Sequence, residues 1–558
     1  MYVEEKIGDS YQQWVAGDRV KIMAPTGSGK SHFILYILLD HAVRHGYRIL
    51  YLVNRKILKR QLVNELQENI AGKFYNKYKV DLKNYIWIRT YQEIENEIKR
   101  GTCLLNNFNP TYIVCDECHY FYSDSDFNTS TELSYEYLTH FDKSVYIFMS
   151  ATMENVQCKI DASGMFDASG IETPTPIFIR NKYTIELPID YAYVHLHCID
   201  DEKDIPAIIE ERTDAGEKWL IFIDSIKKGE MLKKSLCVGG ICQESNISFI
   251  NADYEQDEDA KKSVEELAVN SLVNKKIVIT TSVMDNGISF EDQELRNLLI
   301  MADSKEEFIQ MLGRKRQDGE QVNVYICRRN KEYFKRRKEY VDRTLKYYDR
   351  YGQQIKFMNR MLYQRHLEYL GIQQTILDDM LSSENIYKNI RKFCFVLKGV
   401  VSINYFSIEK LYKSQSFYKE MIDAITSDPD AFVKQQAKWL EILDEKVERV
   451  ILDSAEKKLD RVKEHLLKYL DKLMEDKESI ELTIELNTQK LKKDNKDAFL
   501  YLLERANEDG ERENEIKNLK KTDRPIQPDD FNTCMRVAGL SYDMRKEGKK
   551  FIIAKKER

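Results

Sequence analysis

The strongest constraint on the fold of this chain is the octapeptide Ala24-Pro25-Thr26-Gly27-Ser28-Gly29-Lys30-Ser31, set between a β-rich run at 19–23 and an apolar helical pattern that begins near His32. A glycine-rich turn that joins a strand to a helix is a cradle for phosphates. Gly27 and Gly29 let the backbone approach an anion and turn its N–H groups inward, while the helix N-terminus adds partial positive charge. In such a loop Thr26, Gly27, Ser28 and Gly29 line the phosphate chain, Lys30 bridges the β- and γ-phosphates, and the Ser31 hydroxyl completes a magnesium shell. This context requires an α/β domain.

The rest of the first 330 residues keeps the same rhythm. Short β-rich runs at 48–53, 85–89, 112–115 and 145–149 alternate with helical patterns, which reads as a parallel sheet. After a Pro-, Thr- and Gly-containing break at 170–176, a second set of runs follows at 219–223, 248–250, 277–280, 298–301 and 323–327. Two tandem parallel-sheet α/β domains, 1–185 and 186–330, are expected, followed by an α-rich C-terminal region at 331–558. The run at 112–115 ends in Asp116-Glu117-Cys118-His119. Acids at the carboxyl end of a parallel strand face the crevice where such sheets bind ligands. Asp116 is placed to hold magnesium together with Ser31, and Glu117 to orient and deprotonate an attacking water.

Composition excludes several alternatives. No apolar run approaches the roughly 18–20 residues of a membrane-spanning helix, and the first ten residues lack a secretory pattern, so a cytoplasmic protein without a membrane partner is expected. The ten cysteines are scattered, and Cys115 and Cys118 have no second pair at zinc spacing, which predicts reduced, buried thiols. A net charge of −6 does not exclude nucleic acid, because binding depends on local clusters of Lys and Arg.

Taken together, residues 24–31, Asp116-Glu-Cys-His119, Ser150-Ala-Thr152 and Gln310-x-x-Gly-Arg314 resemble motifs I, II, III and VI of superfamily 2 helicases, in family order. The resemblance implies two RecA-like domains closing on ATP and Mg2+, with Gln310 and Arg314 reaching the γ-phosphate from the second domain. It implies that His119, Ser150 and Thr152 couple nucleotide to domain movement. Asn54-Arg55 with Gln61, and Thr90-Tyr91-Gln92, look like strand-lining segments of the branch that includes type III restriction subunits and UvrB, in its bacterial or mobile-element forms. Phe222-Ile-Asp-Ser225 resembles an opening strand of the second domain, and 280–287, from Thr280 and Thr281 to Gly287, resembles motif V. By that likeness Arg55, Thr90, Ser225 and Thr281 contact nucleic acid and Gly287 contacts nucleotide. The pattern departs from the family at Gln317, where an arginine is usual, which leaves Arg314 and Arg316 as candidate arginine fingers, Arg314 by position. Gln12 lies near the loop without a convincing adenine-reading pattern around it.

The implied activity is an ATP-dependent helicase or translocase, with DNA favoured over RNA. Its rivals are a nucleotide-gated nucleic-acid scaffold with little turnover and a non-unwinding translocase subunit of a defence or mobile-element complex. In the third region, apolar residues spaced by three or four from Trp439 to Leu473 predict one long amphipathic helix, and the tail from Pro525 predicts helix, turn and short strand, of winged-helix-like kind. A basic and aromatic segment from Tyr333 to Tyr351 reads either as a phosphate- and base-binding face or as a solvated helix over core tyrosines, and the helical region as a whole leaves room for a protein partner.

Overall fold

The computed structural model describes the chain apart from residues 1, 103–104, 140, 142, 162–178, 213–216, 240, 273, 282–289, 316–318, 364–387, 398–399, 451–454, 475–478, 484–486, 507–515, 517–518, 520–525, 549 and 556–558. Six strands, β1 (Arg19–Met23), β2 (Ile49–Val53), β3 (Ile86–Thr90), β4 (Tyr112–Asp116), β5 (Val145–Ser150) and β6 (Lys182–Glu186), form one sheet in the order β3-β2-β4-β5-β1-β6. Every pairing is parallel. Strands β2, β4 and β5 are buried along their whole length, the pattern of a parallel sheet covered by helices on both faces.

Register decides where the loops emerge. Met23 at the end of β1 lies opposite Ser150 at the end of β5, and Asp116 at the end of β4 lies opposite Met149. The phosphate loop, the Asp-Glu turn and the Ser-Ala-Thr segment therefore leave one sheet edge side by side.

A second sheet holds β7 (Val194–Ile199), β8 (Lys218–Phe222), β9 (Ile247–Ile250), β10 (Ile277–Thr280), β11 (Leu295–Ile300) and β12 (Val322–Cys327) in the order β7-β12-β11-β8-β10-β9. It too is parallel throughout. Its outer edge beside β7 is completed by two residues of the third region, Glu448–Arg449. The fold is thus a pair of RecA-like parallel sheets with helices, followed by a largely helical region.

That edge strand corrects the single helix expected from 439 to 473. A helix ends at Trp439, Glu441 takes a left-handed φ of 56°, a turn spans Asp444–Lys446, and the later helix runs Ala455–Met474. Apolar spacing runs on across the break because its residues serve different cores. Trp439 and Leu440 fill the core beneath the second sheet, whereas Leu466 and Leu470 fill a separate C-terminal one. Strand pairing with β7 wins over local helical spacing. The C-terminal core also contains the helix Pro528–Ala538 and the hairpin Tyr542–Glu547 with Lys550–Lys555, so the expected short strand is a hairpin, joined by Ser479–Thr483.

The third region is anchored in both sheets by the helix Tyr405–Ser427. Its N-cap, Asn404, accepts from Ser407 N and donates from Nδ2 to Thr131 Oγ1 (2.8 Å) and to the Thr129 carbonyl (2.9 Å). Phe406 enters the first-sheet core, stacked on Phe121 and capped by the Lys159 ammonium 3.5 Å from its ring centre. At the far end, Met421 and Ile425 join the second-sheet core with Phe334, Phe432 and Trp439. Phe406→Ala is therefore expected to lower stability by about 3–5 kcal/mol, the cost of deleting a fully buried aromatic ring. Urea unfolding followed by the first domain's tryptophan signal reads this, and an unchanged midpoint would contradict the anchoring.

Candidate nucleotide site

The phosphate loop is built on two left-handed glycines, Gly27 (φ 83°) and Gly29 (φ 86°), a conformation a side chain would strain. Gly29 is the N-cap of the helix that begins at Lys30. The N-terminal segment braces the loop from outside: Val3 N donates to the Ser28 carbonyl at 2.9 Å, and the Tyr2 ring lies over Gly29, where an added Cβ would meet Tyr2 Cδ1 at 3.3 Å. Lys30 is 8% exposed and its Nζ donates to the carbonyls of Ala24 (2.8 Å) and Pro25 (2.9 Å), which holds the ammonium within the loop's curve. Gln12 is exposed and bonded to Asp9.

Across the edge of β4, Asp116 is buried, and its Oδ2 accepts from the Tyr51 hydroxyl at 2.9 Å. The same hydroxyl stands 3.1 Å from Ser31 Oγ. Tyr51, fully buried on β2, therefore links the two oxygen groups that could share a metal. A second tyrosine, Tyr91, donates to the Asp116 carbonyl at 2.8 Å and stacks on Tyr120, whose hydroxyl donates to buried Glu95. Burial, followed by the Glu117 charge, raises the Asp116 carboxyl above its ordinary range.

Glu117 adopts a left-handed φ of 48°, unusual for a residue with a side chain. Burial works against its charge, but the His119 hydrogen bond and charge, followed by Lys30 and Arg314, outweigh it and hold the carboxyl below the usual range. Glu117 is ionised at neutral pH. His119 Nδ1 lies 3.3 Å from Glu117 Oε2 and 2.9 Å from Ser150 Oγ. The serine hydroxyl donates to the Thr152 carbonyl, so it accepts from the imidazole N–H. Thr152 N in turn donates to Ser150 Oγ at 3.0 Å.

The chain of contacts continues into the second sheet. Gln310 Nε2 donates to Thr152 Oγ1 at 3.2 Å, a contact between the helix Lys305–Leu312, which follows β11, and the loop after β5. One turn later Arg314, 3% exposed, donates from Nε to the Gln310 carbonyl at 3.1 Å, and its charge reaches Glu117. Between them Gly313 packs on the phosphate loop, where a Cβ would meet Thr26 Oγ1 at 3.0 Å. The structure thus brings together the loop residues Thr26, Gly27, Ser28, Gly29, Lys30 and Ser31 with Asp116, Glu117, His119, Ser150, Thr152, Gln310 and Arg314.

The remaining candidates lie elsewhere. Arg55 pairs with Asp124 at 2.7 Å. Thr90 is buried as the N-cap of Tyr91–Arg100, in a reciprocal capping box with Glu93. Ser225 caps Ile226–Val238, and Thr281 follows β10 with its N–H donating to the Ile250 carbonyl. Gly287, Arg316, Gln317 and the break at 170–176 lie outside the described residues. Cys115 and Cys118 are free and buried, and burial pushes both thiols up, Cys115 to about 12. Tyr51 escaped the sequence reading, since a tyrosine within an apolar strand looks like core. Its signal was position, on the strand beside that of Asp116.

Residues 5–155 match the family model described as "Type III restriction enzyme, res subunit". No curated protein matches the chain. Among solved structures, similarity is found to Mss116p bound to ssRNA and AMP-PNP (15% identity, 58% of this chain and 68% of that one, TM-score 0.44). Similarity is also found to S. cerevisiae Dbp5 bound to RNA and ADP BeF3 (16%, 58% and 86%, 0.41) and to Mycobacterium smegmatis helicase Lhr bound to ssDNA and AMP-PNP (15%, 58% and 45%, 0.43). The family match covers residues 5–155, and the motifs at 24–31, 116–119, 150–152 and 310–314 keep their resemblance, in order, to those of superfamily 2 helicases.

The tight contact of Gly313 with Thr26 makes a specific prediction. Gly313→Ala should destabilise the closed arrangement by about 1–3 kcal/mol through overpacking, and Thr26→Ala should recover part of that loss by removing the opposing hydroxyl. A double-mutant cycle on urea midpoints measures the coupling. Additive effects would show that the two domains do not pack there.

Proposed function

We propose that this helicase-like chain hydrolyses ATP and uses the cycle to move along nucleic acid, with DNA favoured over RNA. The observation that supports this best is the convergence of Lys30, Asp116 and Glu117 from one sheet with Arg314 from the other in a single buried cleft. One cation from each domain beside two acids suits a triphosphate whose terminal phosphate lies between them.

Residues 26–31 would cradle the phosphates, and Gly287 would complete the nucleotide contacts. The oxygen donors Ser31 and Asp116, linked by Tyr51, fit a hard divalent cation, which takes oxygen ligands and shares them with phosphates. Magnesium held there would neutralise charge that develops on the phosphate oxygens. Glu117, ionised and fixed by His119, would orient the attacking water. Its depressed pKa makes it a weak proton acceptor, so positioning is its larger contribution. Arg314 would stabilise the transferring phosphoryl group, with Gln310 holding it against Thr152. Loss of the γ-phosphate would remove the anion that draws Arg314 inward, and the path Glu117–His119–Ser150–Thr152–Gln310 would carry that change to the second domain.

Arg55, Thr90, Ser225 and Thr281 are assigned to the strand path. Thr90 and Ser225 use their hydroxyls as helix caps, so their contacts would run through the N–H groups of the helix starts they set. Arg55 would exchange Asp124 for a phosphate. A protein partner on the helical region and a cytoplasmic location complete the reading; among the described residues, no helix is long and apolar enough to cross a membrane.

Three variants test the site. Lys30→Ala should weaken nucleotide binding. Glu117→Gln should keep binding while turnover falls on the order of a hundredfold or more. Arg314→Ala should remove most polymer-stimulated turnover, about 10³-fold or more if it acts as the finger. Fluorescent-nucleotide affinity and phosphate release read these separately. Wild-type turnover in Glu117→Gln would overturn the assignment.

A further inference from the structure

The helix Lys331–Tyr363 carries two sets of basic residues with different fates. Three of them are paired: Lys335 with Glu332 on the same helix, Arg337 with Asp303, and Lys338 with Asp342. Four others are not. Arg336, Arg343, Lys346 and Arg350 are exposed and form no ion pair among the described residues. Their spacing of three, four or seven places them on one side of the helix, and at a rise of about 1.5 Å per residue the row runs about 20 Å. Tyr340, 51% exposed, sits in the same row with the Lys392 ammonium 3.8 Å from its ring centre, which adds a cation from the neighbouring segment. Glu339 and, one turn before Arg336, Glu332 are the exposed acids along the row, Glu332 being paired with Lys335, and exposed Asp349 lies at its margin.

The opposite side of this helix explains why the row is held rigidly. Val341, Leu345 and Ile355 are buried in a core shared with Phe393, Ile403 and Leu411, and Phe334 enters the core of the second sheet. Like charges three and four residues apart repel and weaken a helix. Here the packed face holds them in place, while the chain as a whole carries a net charge of −6. A rigid row of unpaired cations on an acidic protein matches a polyanion with regularly spaced charges.

We propose that this outward face, Arg336, Tyr340, Arg343, Lys346 and Arg350 with Lys392, binds the phosphodiester backbone of a nucleic acid outside the nucleotide cleft. The assignment rests on the proposed nucleic-acid motor and adds a second, sequence-independent grip from the third region. Because the contacts are cation to phosphate, they carry no base specificity and weaken steeply with salt. The grip would hold the polymer while the two sheets separate after hydrolysis.

The test uses the full chain with Arg343→Ala, Lys346→Ala and Arg350→Ala combined, beside a control with Lys335→Ala and Lys338→Ala, the paired cations of the same helix. Binding of labelled single-stranded DNA, duplex DNA and single-stranded RNA is measured across a salt series. The triple variant should lose at least about tenfold in affinity at low salt, and its slope of log affinity against log salt should be shallower by about 2 to 3, since each phosphate contact contributes roughly 0.7–0.9. The control should keep the wild-type slope, and polymer-free ATP turnover should be unchanged in both variants. The arm with the greatest loss identifies the polymer gripped. If wild type binds polymer and is stimulated by it while the triple variant keeps both affinity and slope, the face is not a binding surface and the motor reading stands. If wild type binds none of the polymers, both readings fall.

Discussion

Four charges, Lys30, Asp116 and Arg314 buried and Glu117 partly so, set the terms for the rest of this structure. Removing ions from water costs several kcal/mol each after relaxation, so such a group survives only with close opposite charges and satisfied hydrogen bonds. The protein supplies both. Carbonyls of Ala24 and Pro25 hold Lys30, Tyr51 and a backbone N–H hold Asp116, His119 holds Glu117, and the Gln310 carbonyl holds Arg314. Because the arginine comes from the second sheet, charge balance in the cleft is a property of two domains together. A ligand or step that changes charge there changes how well the domains fit.

The scaffold follows from that requirement. Parallel strands in matched register bring the carboxyl ends of β1, β4 and β5 level, so their loops meet without long excursions. Gly313 permits the second domain to lie against Thr26, where a side chain would hold it off. The helix Tyr405–Ser427 links the two cores at a distance from the cleft. At its start Lys410 donates to the Ser123 carbonyl and pairs with Asp126, and its charge offsets the burial that raises Glu307 of the second domain. Movement between the sheets must therefore bend, tilt or release this helix, which ties the third region to the state of the cleft.

Much of the candidate site was legible in the sequence because its residues lie in local patterns. Residues 24–31, 116–119, 150–152 and 310–314 are short motifs whose neighbouring strands and helices can be read from pattern, and each lies where the fold places a strand end or a helix. What was not legible depends on distant pairing. Tyr51 acts through Asp116, 65 positions away, and Asn404 through Thr131, 273 positions away. Both look like ordinary strand or loop residues until the chain folds. The helix expected from 439 to 473 failed for the same reason: Glu448–Arg449 pairs with β7, about 250 positions earlier in the chain, and such pairing leaves no trace in helical spacing. Thr90 shows a different limit. Its place before a helix was visible, but only the structure shows its hydroxyl spent on the cap with Glu93.

The central claim is that ATP chemistry in this cleft is coupled to a nucleic-acid strand. The most direct measurement is steady-state phosphate release by the wild-type chain, taken in parallel with no polymer, single-stranded DNA, duplex DNA and single-stranded RNA, at saturating ATP and magnesium. Slow release without polymer and a marked acceleration by at least one nucleic acid, strongest with DNA, is the predicted result. Release that is equal in all four conditions, or absent in all of them, would contradict it.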